Sequence, residues 1–135
     1  MDAEELKQRY EAGERDFQKI NAEAADWRGA NLRGADLRDA YLYRANLSGA
    51  DLSEANLARA NLLEADMSGA TLRDSNLSDV YALRANLQDV DFNGATLDEA
   101  NLEEANLIGA TVTPEQLQVV HELRGARLPD GRMSE

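Results

Sequence analysis

Residues 30–54 read A-N-L-R-G, A-D-L-R-D, A-Y-L-Y-R, A-N-L-S-G and A-D-L-S-E, which are five consecutive copies of one five-residue unit. The frame continues without a gap from Phe17 to Val112, so that its third position, called the centre here, recurs twenty times. Thirteen centres are Leu, and fifteen of the residues two places before a centre are Ala. A fixed internal period of this kind indicates a repeat architecture with one continuous core.

The period of five excludes an amphipathic helix, which repeats every 3.6 residues, and a long strand, which repeats every two. It fits a short strand stub with two inward side chains and one outward side chain, followed by a two-residue corner. The inward pair is Ala and Leu. The outward residue is Asn or Asp in fifteen of twenty units, and its short side chain can bond nearby backbone. Gly recurs at the second corner position, where a tight turn favours it. If each corner turns the chain by about a right angle, four units close one coil, and an all-β solenoid of five coils results.

The A-(N/D)-L-x-x array resembles the pentapeptide-repeat family over Phe17 to Val112, and this resemblance implies a right-handed quadrilateral β-helix. The E-R-D-F stretch and the segment from T-P-E-Q-L to L-P-D-G resemble the ends of the cyanobacterial members. Most members of the family have no assigned function, so the resemblance implies a fold and a surface for interaction rather than a reaction.

Both termini are predicted to be short α-helical caps, because an open β-ladder would recruit other strands. At the start, Asp2 and Glu5 match a capping box, Leu6 and Tyr10 share a face with Ala3, and Gly13 is a natural stop. The resulting division is a helical cap over 1–14, a repeat domain over 15–113, and a helical cap with tail over 114–135.

The C-terminal cap rests on a second capping-box pattern. Thr113 and Gln116 occupy its two positions, and Pro114 stands at the first helical turn. Leu117, Val120 and Leu123 then form an apolar stripe that ends before Gly125. We expect this helix to cover the last coil.

Departures from the consensus inside the repeat keep the total volume of the core side chains nearly constant. Ile20 precedes the small centre Ala22, and Val80 precedes the small centre Ala82, so that lost and gained volumes offset each other. Trp27, Met67 and Phe92 occupy other centres. These three side chains are interpreted as core filling.

The overall charge limits the kinds of partner that the protein is expected to bind. The chain carries 14 Lys and Arg against 26 Asp and Glu, a net charge of -12, and it has no cysteine. We expect no direct binding of nucleic acid, because no basic patch overrides the negative charge. The charged start lacks a secretory pattern, and no run reaches transmembrane length, so a cytoplasmic protein without membrane attachment is expected.

Nothing in the sequence has the pattern of an active site, and we expect neither an enzyme nor a cofactor or metal site. The single histidine, His121, has no cysteine or spaced histidine as a companion ligand. Asp98, Glu99, Glu103 and Glu104 form an acidic group that is interpreted as a solvated end rather than a cation site.

Equivalent positions on stacked coils differ by twenty residues, so the outward columns can be written from the sequence. Two corner columns alternate in charge, as expected where stacked side chains lie near one another. They read Lys19, Asp39, Arg59, Asp79, Glu99 and Ala24, Arg44, Glu64, Arg84, Glu104. We assign these columns to structure.

The face centred on Leu42 differs from the other three, because apolar residues occupy its outward positions on neighbouring coils. The candidate partner-binding residues there are Tyr41, Tyr43, Arg44, Leu63, Tyr81, Leu83 and Arg84. Exposed aromatic, Leu and Arg residues together have the composition of a protein-recognition patch. Two alternatives stay open: the same side chains stabilise the ladder alone, or they lie under a terminal segment.

A second function is also open. Some pentapeptide-repeat proteins resemble duplex DNA in size and charge and bind DNA gyrase, so the resemblance allows a DNA-mimicking binder of gyrase or of another DNA-binding protein. The segment from Ala85 to Leu123 has eight acids and no Lys or Arg. Five coils are short for the dimeric mimics, and a monomer is expected instead.

Overall fold

The computed structural model describes all residues from 1 to 135. Its elements are helix α1 at Ala3–Glu11, a stack of single-residue parallel bridges, and helix α2 at Pro114–Gln118. From Asp16 to Asp91 each outward residue pairs with the residue twenty places later, as in Asn61 with Tyr81. Four units therefore complete one coil, and five full coils stack between Phe17 and Val112.

The solenoid has four faces, each defined by its stacked centres. Face 1 has Phe17, Leu37, Leu57, Leu77 and Leu97; face 2 has Ala22, Leu42, Leu62, Ala82 and Leu102; face 3 has Trp27, Leu47, Met67, Leu87 and Leu107; face 4 has Leu32, Leu52, Leu72, Phe92 and Val112.

Adjacent coils are joined by two backbone hydrogen bonds per stub. The Leu37 N–H donates to the Asn56 carbonyl at 2.7 Å, and the Asn56 N–H donates to the Ala35 carbonyl at 2.9 Å. The same pattern repeats up each face, so the polar backbone around the core is paired with the next coil.

The core is a column of Ala and Leu side chains. Every centre from Phe17 to Leu107 is buried. Burying one such Leu contributes about 1.5–3 kcal/mol. Trp27, Met67 and Phe92 are buried with them, which confirms their role as core filling. Val80 is buried beside Ala82, as the volume argument predicted.

The corners adopt a backbone conformation that the sequence only partly indicated. Every second-corner residue from Lys19 to Gly109 has a positive φ, and thirteen of these nineteen are not Gly. Arg59, for example, has φ 61°. The conformation is retained because the second-corner N–H bonds the next coil, as Arg59 N–H does to the Ser78 carbonyl at 3.0 Å. Such a conformation costs a side-chain-bearing residue about 1–2 kcal/mol.

The outward Asn and Asp side chains hold the first corner. All fifteen accept a hydrogen bond from the backbone N–H two residues later, as the sequence predicted. In one of them, Asn46 Oδ1 lies 3.0 Å from the Ser48 nitrogen. This bond closes a local turn at each corner.

Helix α1 covers the first coil. Asp2 caps it by accepting from the Glu5 N–H at 2.8 Å. Leu6 is almost fully buried against the coil, and the Tyr10 hydroxyl donates to the Arg33 carbonyl at 2.7 Å. Trp27 Nε1 donates to the Met1 carbonyl at 3.1 Å, which ties the chain start to the core.

Helix α2 is shorter than the sequence indicated. Its capping box forms between Thr113 and Gln116, but it ends at Gln118, so Val120 and Leu123 are outside it. The main chain instead bonds the edge of the fifth coil: the Glu99 N–H donates to the Val119 carbonyl at 2.8 Å. A helical continuation would leave this edge unpaired.

The repeat resumes after α2 and forms part of a sixth coil. The Leu102 N–H donates to the Glu122 carbonyl and the Leu107 N–H to the Arg127 carbonyl, both at 2.8 Å. Leu123 and Leu128 are therefore two further centres, on faces 2 and 3. Gly125, with φ 75°, is a corner residue rather than a helix stop. The prediction that 114–135 is a capping helix with a tail was wrong in this respect.

The last residues fold back on the sixth coil. Arg127 and Met133 form an antiparallel bridge, and the Ser134 N–H donates to the Ala126 carbonyl at 2.7 Å. Neither helix has the length and apolar character needed to cross a membrane.

Candidate protein-binding face

Face 2 carries all seven residues singled out from the sequence. We call this set the Tyr/Leu face. Tyr41 and Tyr81 occupy the outward strand position on coils 2 and 4. The remaining residues occupy the corner that follows: Tyr43, Leu63 and Leu83 at its first position, and Arg44 and Arg84 at its second.

The two outward tyrosines form the exposed part of the Tyr/Leu face. Tyr41 is 49% exposed and Tyr81 is 39% exposed, so no terminal segment covers them. Tyr43, Leu63 and Leu83 are half-buried, because residues at one corner position stack on successive coils. The leucines thus contribute to the ladder as well as to the surface, whereas the tyrosines project beyond it.

Tyr41 and Tyr81 also replace a hydrogen-bond acceptor. Asn61, between them on face 2, accepts from the Leu63 N–H at 3.0 Å. The corresponding N–H groups of Tyr43 and Leu83 have no side-chain partner. The sequence marked these tyrosines as unusual, but the lost bond is visible only when all fifteen Asn and Asp bonds are compared.

The Tyr43 hydroxyl is engaged with its own chain. It donates to Glu23 Oε2 on the preceding coil at 3.1 Å. This hydrogen bond, followed by desolvation, raises the pKa of Tyr43 above its ordinary value. Tyr43 is therefore held against the ladder, while no bond of this kind fixes the hydroxyls of Tyr41 and Tyr81.

The two arginines belong to an ion-pair ladder along the corner. Arg44 Nε lies 3.1 Å from Glu64 Oε1, and Arg84 Nε lies 3.4 Å from Glu104 Oε1. A second Arg84 nitrogen lies 3.9 Å from Glu64. The alternating charges of this column therefore pair as predicted. Each exposed pair contributes only about 0–1 kcal/mol, but the ladder orients the arginine heads along one rim.

In the other corner column, on the opposite side of Tyr41 and Tyr81, only Arg59 and Asp39 form an ion pair, and the predicted alternation stops where Asp79 is followed by Glu99. Arg59 donates to both Asp39 oxygens, at 3.0 and 3.1 Å. The Arg59 hydrogen bond lowers the pKa of Asp39 below its ordinary value. The Tyr/Leu face thus lies between two corners that carry both acidic and basic residues.

The candidate ligand residues elsewhere, His121 and the acidic group from Asp98 to Glu104, form no cluster of three. His121 is exposed, and its Nδ1 lies 3.4 Å from a Glu99 oxygen. No three His, Asp or Glu side chains lie close enough together to hold a metal ion, and this includes the acidic group at Asp98 to Glu104.

The comparison with known families follows the repeat frame. The family model described as pentapeptide repeats matches residues 16–53, 40–79 and 85–113, with eight copies. These ranges include more than half of the chain. No curated protein matches the chain.

Solved structures of pentapeptide repeat proteins share this fold. The pentapeptide repeat protein Rfr23 from the cyanobacterium Cyanothece has a TM-score of 0.75 at 24% identity, covering 98% of this chain and 100% of that one. A pentapeptide repeat protein of the Arabidopsis thaliana thylakoid lumen has a TM-score of 0.55 at 29% identity, covering 80% and 71%. The protein alr5209 from Nostoc has a TM-score of 0.54 at 27% identity, covering 90% and 97%. The chain belongs to the pentapeptide-repeat family, and its solenoid is a right-handed quadrilateral β-helix.

Proposed function

We propose that the protein is a non-catalytic interaction module that binds a protein partner through the Tyr/Leu face. The observation that supports this most directly is the pair Tyr41 and Tyr81. Each replaces an Asn or Asp whose side chain closes the corner elsewhere, and each leaves a large part of its ring in solvent. Residues that give up a local stabilising bond for exposed aromatic surface are typical of binding sites.

The geometry suits recognition by rigid anchors. Tyr41 and Tyr81 lie two coils apart, which is about 10 Å at the spacing of paired strands. The β-helix fixes this separation, so little conformational freedom is lost on binding. A matching partner would offer two apolar depressions at that distance, with acidic or carbonyl groups facing the arginine rim.

The competing idea, mimicry of duplex DNA, draws less support from this surface. Arg44, Arg59 and Arg84 interrupt the negative charge along both corners beside face 2. A continuous negative stripe, which would substitute for phosphates, is therefore absent from this side of the rod.

The test replaces the tyrosines with the residue that the fold prefers. The double variant Tyr41→Asn, Tyr81→Asn restores the corner acceptor and removes the aromatic surface. The control, Thr71→Asn with Thr96→Asn, makes the same kind of change on faces 4 and 1. Binding proteins captured from a lysate of the source organism are quantified by mass spectrometry, and the most enriched one is purified and titrated.

We expect the tyrosine variant to lose at least tenfold in affinity for that purified protein, on the scale of hot-spot truncation. The threonine variant should bind like the unmodified chain. A third variant replaces Tyr43, Leu63 and Leu83 with Ser. For each unit of exposed side-chain area that it removes, this variant should weaken binding less than the tyrosine variant does. Equal titration curves for the unmodified chain and the tyrosine variant would rule out this face as the site.

A further inference from the structure

The two ends of the solenoid are closed differently. At the start, all four centres of the first coil are buried under α1, and Leu6 fills the end of the core. At the other end Val112, Leu117, Leu123 and Leu128 remain partly exposed and line a cleft of about 400 Å³. The cleft is open to solvent, and its volume lies toward the lower end of the range of ligand pockets.

The cleft exists because the sixth coil lacks a stub. Faces 2 and 3 are extended by Leu123 and Leu128, and α2 lies over face 1. Above Val112 on face 4 the chain supplies no sixth-coil strand, because it turns back at Gly131 to pair with face 3. The inward position of one pentapeptide unit is therefore unfilled.

The backbone at the same place has one free donor and one free acceptor. One coil below, the Phe92 N–H donates to the Thr111 carbonyl at 3.0 Å, and the Thr111 N–H donates to the Val90 carbonyl at 2.9 Å. The equivalent groups on the fifth coil are the Val112 N–H and the Ala110 carbonyl, and neither has a partner in the chain. They are spaced to pair with one extended residue.

On the neighbouring edge, at face 1, the equivalent acceptor is satisfied by α2, whereas the Leu97 N–H has no partner in the chain. Gln116 Nε2 of α2 donates to the Ala95 carbonyl at 3.0 Å and to the Phe92 carbonyl at 2.7 Å. Helix α2 thus satisfies the Ala95 carbonyl at the edge of face 1 and stops short of face 4. At the first coil, face 4 also has an unpaired edge residue, Asn31, and a cavity of about 500 Å³ lies there between α1 and residues 28–31, but the adjacent centre Leu32 is fully buried.

The charged residues near the cleft indicate which kind of peptide segment would bind there. The run from Ala85 to Leu123 has eight acids and no Lys or Arg, although four of the acids, Asp98, Glu99, Glu103 and Glu104, lie at the corners that follow faces 1 and 2. Within it, Asp89 lies at the corner below Gly109, and the exposed Glu115 follows the cleft residue Pro114. The one basic residue lining the cleft, Arg132, is paired with Asp130 at 2.7 Å. A segment with Lys or Arg is favoured here.

We propose that this end of the solenoid binds an extended peptide segment of a partner protein as the missing sixth-coil stub of face 4. One peptide residue pairs with the Val112 N–H and the Ala110 carbonyl. The next residue places a large aliphatic side chain in the cleft, and flanking Lys or Arg face the acids. This is strand addition at a sheet edge, in which main-chain bonds give affinity and one pocket gives specificity. The surface is separate from the Tyr/Leu face.

The probe is a fluorescent peptide with the sequence of residues 28–34, R-G-A-N-L-R-G, which forms the face 4 stub of the first coil and carries two Arg. One control peptide has Asp in place of its Leu. A second control is N-methylated at its Asn amide, which removes the bond to Ala110 and keeps the side chains. Anisotropy titrations use the full chain, and amide exchange of Val112 is followed by NMR.

We expect saturable one-to-one binding, at least about tenfold weaker for each control peptide, and slower exchange of the Val112 N–H in the complex. The Tyr41→Asn, Tyr81→Asn variant should bind the peptide unchanged, which separates this result from the fate of the proposed function. Three results would overturn the inference: no saturation at millimolar peptide, equal binding of the N-methylated peptide, or protection of Val112 that follows self-association of the chain instead of peptide.

Discussion

Asn61 Oδ1 accepts a hydrogen bond from the Leu63 N–H at 3.0 Å. We expect units that lack this bond to contribute less to the free energy of unfolding. Thr71 occupies the same position on face 4, and its side chain makes no such bond. Thr71→Asn should therefore raise the free energy of unfolding by about 1 kcal/mol in urea denaturation, the usual net value of one hydrogen bond.

Tyr81→Asn is the matched comparison for that change. It gains the same bond to the Leu83 N–H, but it loses the packing of a ring that is 39% exposed and otherwise in contact with the ladder. Its gain in stability should be smaller than that of Thr71→Asn. A loss of stability in Thr71→Asn would show that the corner acceptor is not stabilising.

Ala24 is a corner residue whose Cβ is strained by the positive φ of its backbone. It is exposed, its φ is 55°, and its N–H donates to the Tyr43 carbonyl at 3.0 Å. Ala24→Gly keeps the hydrogen bond and removes the strain, so it should stabilise the protein by about 1 kcal/mol. Ala58→Gly, at a first corner without positive φ, should destabilise it by about 0.5–1 kcal/mol. Thermal or urea unfolding of both variants tests the opposite signs.

Val80 and Ala82 are both buried and stand where other units have Ala and Leu. The larger Val80 compensates for the volume that the smaller Ala82 leaves. Val80→Ala should cost about 2 kcal/mol through lost burial and a cavity. Ala82→Leu alone should cost about 1–3 kcal/mol through overpacking. The double variant restores the consensus pair, so its cost should be smaller than the two single costs added together. Additive costs in a urea double-mutant cycle would show that the two sites do not exchange volume.

Asp51 makes the stability contributed by its corner hydrogen bond depend on pH. Its carboxylate accepts from the Ser53 backbone N–H at 3.0 Å, and bonds from Ser53 lower the pKa of Asp51 below its ordinary value. Because the folded pKa is the lower one, this stabilisation is present above an ordinary Asp pKa of about 4 and is lost as the pH falls through the folded pKa.

Asp51→Asn keeps the acceptor and removes the titration. The loss of stability on acidification below about pH 4 should then be shallower than in the unmodified chain. Asn56→Asp adds a titrating group at the equivalent position on face 1 and should make the loss steeper. Urea midpoints measured at a series of pH values give both slopes, and identical slopes in all three proteins would contradict the assignment.

The sequence predicted the core and the corner bonds because each depends on one position of the repeat. The inward Ala and Leu and the outward Asn or Asp have separate chemical roles, so their places follow from spacing alone. The positive φ of Arg59 or Glu64 was not readable in this way, since neither residue favours it. It follows from the demand that every corner turn the chain alike and bond the next coil.

For the candidate site, the sequence placed the seven residues on one face, because positions twenty apart must stack. It could not tell which of them remain exposed. The structure separates Tyr41 and Tyr81, which project into solvent, from Tyr43, Leu63 and Leu83, which lie half-buried in the ladder. That distinction depends on contacts between coils.

The sequence by itself determined the five coils, their four faces and the content of the core, because a period of five with fixed large, polar and small positions allows one inward arrangement. Only the tertiary structure decided how the chain ends. Local signals continue a helix through Leu123, but the unpaired edge of the fifth coil bonds Val119, Glu122 and Arg127 instead. The longer spacing of this return, twenty-one residues rather than twenty, breaks the sequence frame, and it leaves the face 4 edge at Val112 open.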